Sequence, residues 1–416
     1  MQTGIRRLVI RNLSLQTMSE GIALACGLAS SMVLSRHLDV AGFGAFNYAF
    51  AFMFLFLSLN DLGVNTIVVR EVSQAPDRAG RIIGAALTLR LAIAMVALAA
   101  AWVTIWLWPM DPSLRRPLTL FALILPLNAL NVPAMIFQTA MRFDLAALTT
   151  VLWRVSGLLL ILVTVALGLG VTAVLGALLV SEVIGLTVVY VLSRRLVRFR
   201  LEVDRAEWRV LLRSAAPVGA TLLLAALVNR IDFMMLERMV SLDAVGLYSA
   251  AYRVTNMIEK LPLLVMATLY PIMSQLAATD RGRLRDVYRR TVTHFAAAAL
   301  PIGLLVTFLA PHLTALAFGE DYRAAGVPLR YLVWATVCLY IALTGGNLLI
   351  SIGRERDSVI ALALGAAANI GLNLFFIPWR GIEGAAMATA ISFFIVLVVT
   401  VTAVERHLRD APAVTA

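Results

Sequence analysis

The sequence predicts an all-α polytopic membrane protein of about twelve transmembrane helices arranged as two pseudo-symmetric six-helix lobes. Three observations carry that expectation: apolar segments of bilayer length recur along the chain, the arginines gather in every second gap, and a short motif repeats between the halves. The segments fall at about 13–34, 43–60, 83–107, 118–139, 146–168, 171–192, 215–236, 245–277, 292–313, 327–350, 358–376 and 384–402, most near the ~20 residues that span ~30 Å of hydrocarbon as a helix.

Charge then orients the spans. Twenty-three arginines lie in one set of gaps and six in the opposite set, so the positive-inside rule places both termini in the cytoplasm. The first set holds Arg6, Arg7 and Arg11, the loop with Arg70, Arg78 and Arg81, and the five arginines between Arg281 and Arg290. The chain is 61% hydrophobic and 14% charged, against about 25% charged in soluble domains. Its net charge of +11 follows the topology instead of forming a nucleic-acid patch. The first apolar segment is full length and lacks a small-residue cleavage site, so it reads as a span and not a leader.

The longest connection, 193–214, separates an N-terminal lobe (1–192, helices 1–6) from a C-terminal lobe (215–416, helices 7–12). Within it Arg205, Arg209 and Arg213 recur every four residues, while Trp208, Leu211 and Leu212 form an i, i+3, i+4 set. That pattern suits either a short amphipathic helix on the membrane surface or a helical extension of the seventh span. Gly44-x-Phe46-x-x-Ala49 recurs as Gly246-x-Tyr248-x-x-Ala251, an offset of 202 shared by Arg36 and Arg238. Six spans separate the copies, which makes the halves parallel repeats, an arrangement of transporters. Pro126, Pro133, Pro262, Pro271, Pro301 and Gly345-Gly346 interrupt spans, as bending points or as fixed packing kinks.

Ionisable residues inside the spans are the candidate functional set, because a charge at the bilayer centre costs on the order of 3 kcal/mol and therefore faces protein or water. Five cations, Arg90, Arg154, Arg230, Arg253 and Lys260, are candidates to line an anion-binding cavity. At ~1.5 Å per residue, Arg90 lies roughly 10 Å and Arg154 about 12 Å from the arginine-rich side. Asp232, Glu20, Glu182 and Glu259 are candidates for ion coupling or internal ion pairs; Asp232 and Arg253 sit at similar depth on consecutive helices and can pair. Arg330 lies near a span end, where it can snorkel. Cys26 and Cys338 both lie in spans, which leaves no zinc or disulfide framework, and His37, His294, His312 and His407 are scattered. No metal, cofactor or enzymatic constellation is expected.

The chain resembles the Wzx-type polysaccharide flippases of the MOP (multidrug, oligosaccharidyl-lipid, polysaccharide exporter) superfamily, whose members include MATE-like transporters. The resemblance rests on Ala41-Gly-Phe-Gly-Ala-Phe-Asn-Tyr48, Asp61-Leu-Gly63 and Arg70-Glu71, then Pro217, Ile231-Asp232-x-x-x-Leu236 and Val245-Gly-Leu-Tyr-Ser-Ala-Ala251. Further along come Phe318-Gly319-x-x-Tyr322, Gly353-Arg354, Asn373-Leu-Phe-Phe-Ile-Pro378 and Gly381-Ile-Glu-Gly-Ala-Ala-Met-Ala-Thr389. It implies a bacterial inner-membrane flippase carrying undecaprenyl-diphosphate-linked oligosaccharide, an O-antigen, exopolysaccharide or capsule repeat, to the outer leaflet by ion-coupled alternating access. Its implied partners are the lipid-linked substrate, the bilayer, a glycan polymerase and other glycan assembly proteins. A multidrug or cation antiporter of the same superfold is the alternative; it would call for a carboxylate-rich cavity, and the spans hold four acids against six bases.

Overall fold

The computed structural model describes residues 2–409; the side chains of 2–13, 217, 218, 220–222, 225, 228, 267 and 409 are not among those described, so Arg6, Arg7, Arg11, Pro217 and Arg409 lie outside them. Every described element is helical: α1 (Gln2–His37), α2 (Val40–Asp61), α3 (Val64–Gln74), α4 (Ala79–Leu107), α5 (Pro112–Phe121), α6 (Ile124–Ala129), α7 (Met135–Thr139) and α8 (Phe143–Ala166). There follow α9 (Val171–Leu196), α10 (Arg205–Met239), α11 (Leu242–Ile258), α12 (Lys260–Thr279), α13 (Arg281–Phe318), α14 (Gly326–Ser351), α15 (Glu355–Arg380) and α16 (Ile382–Arg409). Nine helical segments among the described residues are long and apolar enough to cross a membrane, and two pairs bent by 42° and 41° raise the number to eleven. The expected span at 215–236 is helical within α10.

The chain forms two compact units, Met1–Ala226 and Leu227–Ala416. The division falls inside α10, after the connection expected to separate the lobes.

The first unit shows what the prolines and glycines do locally. The fourth expected span is broken into α5, α6 and α7, and Pro126 and Pro133 both lie in it; proline removes an amide donor and its ring clashes with the preceding turn. The second span ends at Leu62 (φ 43) and Gly63 (φ 78), and α3 resumes at once. Leu62 pays for a left-handed conformation that Gly63 adopts without cost. Its interior packs Ile67, Val68, Ile83 and Leu87 around Phe199 and Leu211.

Phe199 and Leu211 belong to the 193–214 connection, which does not form a separate surface helix. Residues 197–204 are non-helical and lie along α4, where Gly80 and Gly84 face the carbonyl oxygens of Arg198 and Arg200 too closely for any Cβ. Trp208 Nε1 donates to Ala85 O at 2.9 Å, Thr88 Oγ1 to Glu202 O at 2.7 Å, and Arg78 pairs with Glu207 at 3.0 Å. The apolar face of 205–213 therefore covers α4, and these residues open α10 as a helical extension of the seventh span. Arg81 holds Asp204 at 2.5 Å and keeps this half-buried carboxyl below its ordinary value of 3.8.

In the second unit α13 and α14 run unbroken through Pro301 and Gly345-Gly346. Gly345 is a contact point: a Cβ there would stand 2.7 Å from Thr400 on α16. The interior gathers Met273, Leu284, Tyr288, Phe295, Tyr340 and Val404. Large apolar side chains such as Phe308, Leu316 and Phe375 are about three-quarters exposed, as expected of a surface solvated by lipid. Trp106, Trp108 and Trp379 stand exposed at helix ends, where indole rings favour the headgroup level.

Candidate functional site

The intramembrane charges expected from the sequence divide among three settings. Arg90, on α4, is 1% exposed and is the largest fully buried side chain among the described residues. Its Nη1 donates to Asn65 Oδ1 and its Nη2 to Asn128 Oδ1, both at 2.9 Å, while Asp61 Oδ1 stands 3.8 Å from Nη1. One guanidinium thus ties α4 to the start of α3 and to α6, with the carboxylate beside the Leu62–Gly63 break supplying charge compensation. Asn60, next to it, donates to Leu125 O at 3.0 Å. Planar, forked geometry lets arginine reach two oxygens on different elements. This setting closes the helix breaks with polar contacts; it presents no guanidinium surface to a ligand.

Arg154 is different. It is exposed, with its guanidinium carbon 4.3 Å from the Trp153 ring centroid, and it forms no ion pair among the described residues. One turn of α9 brings a carboxylate nearby: Glu182, 7% exposed, lines a cavity of about 180 Å³ with Gln138, Thr149, Thr150 and Trp153. The neighbouring Ser181 hydroxyl bridges α9 to α8 through Trp153 O at 2.9 Å.

The third setting lies in the second unit. Asp232 on α10 is fully buried, and its Oδ2 accepts from Tyr248 Oη at 2.6 Å. Tyr248 Oη stands 3.3 Å from Thr389 Oγ1 on α16; Asn369 Nδ2 donates to that same oxygen, and Asn373 Nδ2 donates to Asn369 Oδ1 at 3.0 Å. A polar chain therefore joins α10, α11, α16 and α15 in an otherwise apolar interior. Asn373 Oδ1 is buried with no hydrogen-bond donor among the described residues. Phe233, Tyr248 and Tyr252 pack edge-on or tilted at 5.4 Å around the carboxylate, and Arg230 is half-buried over the Phe233 ring at 5.6 Å.

The remaining expected residues are peripheral to that chain. Arg253 is half-buried, Glu259 accepts from Thr336 Oγ1 at 3.2 Å, and Glu20 and Lys260 are exposed. Sequence reasoning had not singled out Asn65, Asn128, Asn369 or the Tyr248 hydroxyl. The visible signal was amide side chains inside apolar helices, most plainly Asn369 and Asn373 at i, i+4.

Comparison with known proteins follows this geometry. A family model described as polysaccharide biosynthesis protein matches residues 9–277, and one described as MatE matches 217–375. The probable flippase AglR of Haloferax volcanii is 26% identical over 282 residues, covering 66% of this chain and 58% of its own length. The chain thus spans under two thirds of that relative. Among solved structures, the lipid II flippase MurJ in an inward closed conformation superposes with a TM-score of 0.80 at 13% identity, covering 94% of this chain and 87% of that one. An inward-facing multidrug-resistance MATE transporter of the MOP superfamily gives 0.73 at 16% identity, covering 97% and 99%. At such identities these two likenesses establish the fold.

Proposed function

We propose, for a chain that belongs to the polysaccharide biosynthesis protein family, that it flips undecaprenyl-diphosphate-linked oligosaccharide from the cytoplasmic to the outer leaflet of the inner membrane. Both termini are cytoplasmic in this reading, and the cycle is non-enzymatic alternating access driven by an ion gradient. The observation that carries it is Arg154, an exposed guanidinium within an apolar helix that lies over an indole face and forms no direct ion pair among the described residues, with the Glu182 carboxylate further off. A site of that kind has donors left for a diphosphate, to which arginine binds by charge-assisted, forked hydrogen bonds. Arg230 and Arg253, half-buried in the second unit, extend the same chemistry, while the lipid tail stays in the bilayer. The likeness to AglR, a probable flippase, supports flipping as the class of activity.

Coupling is assigned to Asp232 and its polar chain. The carboxylate is buried, held by a tyrosine hydroxyl, and close to an amide network whose Asn373 Oδ1 has no donor among the described residues. Such a group changes its interactions when an ion arrives or leaves, which is the local event a gradient-driven transporter needs. Glycan polymerase and other assembly proteins are the partners this role implies.

Charge reversal tests the reading. Arg154→Glu should abolish surface glycan in a complemented deletion strain while membrane levels of the protein stay unchanged; undiminished glycan would remove Arg154 from the substrate path. Asp232→Asn should leave the protein folded but its transport indifferent to the ion gradient.

One observation favours a second reading, a cation antiporter of the same fold: Glu182 is a buried carboxylate lining a chamber beside Trp153. Drug-resistance profiling of the deletion strain separates the two, since only the antiporter reading expects new sensitivity to cationic compounds.

A further inference from the structure

At one end of the second unit, three arginines from separate helix ends converge on a cavity of about 500 Å³. Arg281 opens α13, Arg354 immediately precedes α15, and Arg406 lies in the last turn of α16. All three are exposed. Asp357 is the single carboxylate among the lining residues, and it is taken by His407 Nε2 at 2.7 Å.

Several arginines elsewhere are neutralised by a neighbour. Arg70, Arg78, Arg81 and Arg142 each hold a carboxylate, at 2.8, 3.0, 2.5 and 2.7 Å. Arg281, Arg354 and Arg406 have no acidic partner among the described residues, although Glu355 and Glu405 adjoin two of them in sequence. Three like charges facing one cavity repel one another, and an anion between them would relieve that repulsion. The α15 N-terminus adds to this, because Arg354 provides it no side-chain cap and only the Asp357 amide turns back to the Arg354 carbonyl, leaving the Glu355 and Arg356 amides as donors.

We infer that this cavity binds a phosphate or diphosphate group, gripped by the three guanidiniums at the cytoplasmic ends of α13, α15 and α16. Guanidinium forks match the paired oxygens of phosphate, and three of them suit a dianion or a diphosphate better than a carboxylate. The group can come from an anionic lipid headgroup, given that all three residues sit where apolar helices end, or from a soluble phosphate compound. Sidedness aside, the site does not depend on the transport reading: none of its residues is Arg154, Arg230, Arg253 or Asp232.

The test reads binding, so its failure is distinct from a failure of glycan export. Full-length protein in phosphatidylcholine nanodiscs is titrated in one arm with radiolabelled inorganic pyrophosphate, and in the other with phosphatidylglycerol counted by native mass spectrometry. Wild type should bind at least one probe, and R354Q/R406Q should weaken it by about tenfold or more, as expected for losing charged hydrogen bonds. Pyrophosphate binding identifies a soluble ligand; binding of phosphatidylglycerol alone identifies the headgroup. R281Q supplies an independent variant should the double change impair folding. The inference is overturned if neither probe binds, if the variants bind like wild type, or if R283Q/R285Q, on α13 outside the cavity, weakens binding equally.

Discussion

Replacing Arg90 by alanine should destabilise the first unit. The side chain is 1% exposed and makes two guanidinium–amide hydrogen bonds at 2.9 Å. At about 1.5–3 kcal/mol for each hydrogen bond to a charged group, the two together contribute roughly 3–6 kcal/mol. Truncation would also leave Asn65 Oδ1 and Asn128 Oδ1 without this donor and Asp61 without its nearest cation, and removing one member of a buried charged cluster typically costs about 3–5 kcal/mol. A loss of about 3 kcal/mol, more than a hundredfold in equilibrium, is the conservative expectation. The assay is the fraction of purified protein that stays monodisperse in neutral detergent after a heating series. Arg90→Ala should fail at clearly lower temperature. Arg90→Lys should recover little, because an ammonium on a single stem cannot serve oxygens on α3 and α6 with the same geometry. Wild-type heat tolerance of Arg90→Ala, combined with lost glycan export, would refute this reasoning and return Arg90 to the substrate path.

Gly84→Val should dislodge residues 197–204 from α4, because the added carbons meet the Arg200 carbonyl; the expected cost is about 1–3 kcal/mol, read as faster proteolytic cutting of that connection. The same segment should loosen on acidification. Asp204 has its carboxyl held below 3.8 by Arg81, so the contribution of that pair is complete above the ordinary carboxylate range and is lost as pH falls through the depressed value. Protection of 197–204 should therefore be flat from neutral pH down to about 4 and decline below it, a decline Asp204→Asn should remove. Tyr248→Phe deletes the 2.6 Å donor to Asp232 and should cost about 1–3 kcal/mol of heat tolerance in detergent while leaving the aromatic packing in place; an unchanged melting profile would show that Asp232 is satisfied without it.

Much of the architecture was legible because hydropathy is a local, additive property. Each of the expected spans corresponds to helix in the structure, and the broken spans carry prolines that the sequence displays. The connection at 193–214 was legible in part: its apolar stripe was visible, but whether Trp208 and Leu211 meet lipid or protein depended on the glycines one turn apart on α4. The charged residues were legible as a set and not as roles. A buried arginine and an exposed one have the same cost in a hydropathy profile, so Arg90 and Arg154 read alike until their neighbours are placed.

By itself, then, the chain's order of residues determined that apolar helices recur, since this follows from segments no longer than a span. Only tertiary structure decided which groups answer which. Asn65 and Asn128 reach Arg90 from 25 and 38 positions away, Thr389 meets Tyr248 across 141, and Arg281, Arg354 and Arg406 share one cavity from three helix ends. The physical reason is that a polar group in an apolar interior must find a partner, and the partner is chosen by how helices pack and not by proximity along the chain.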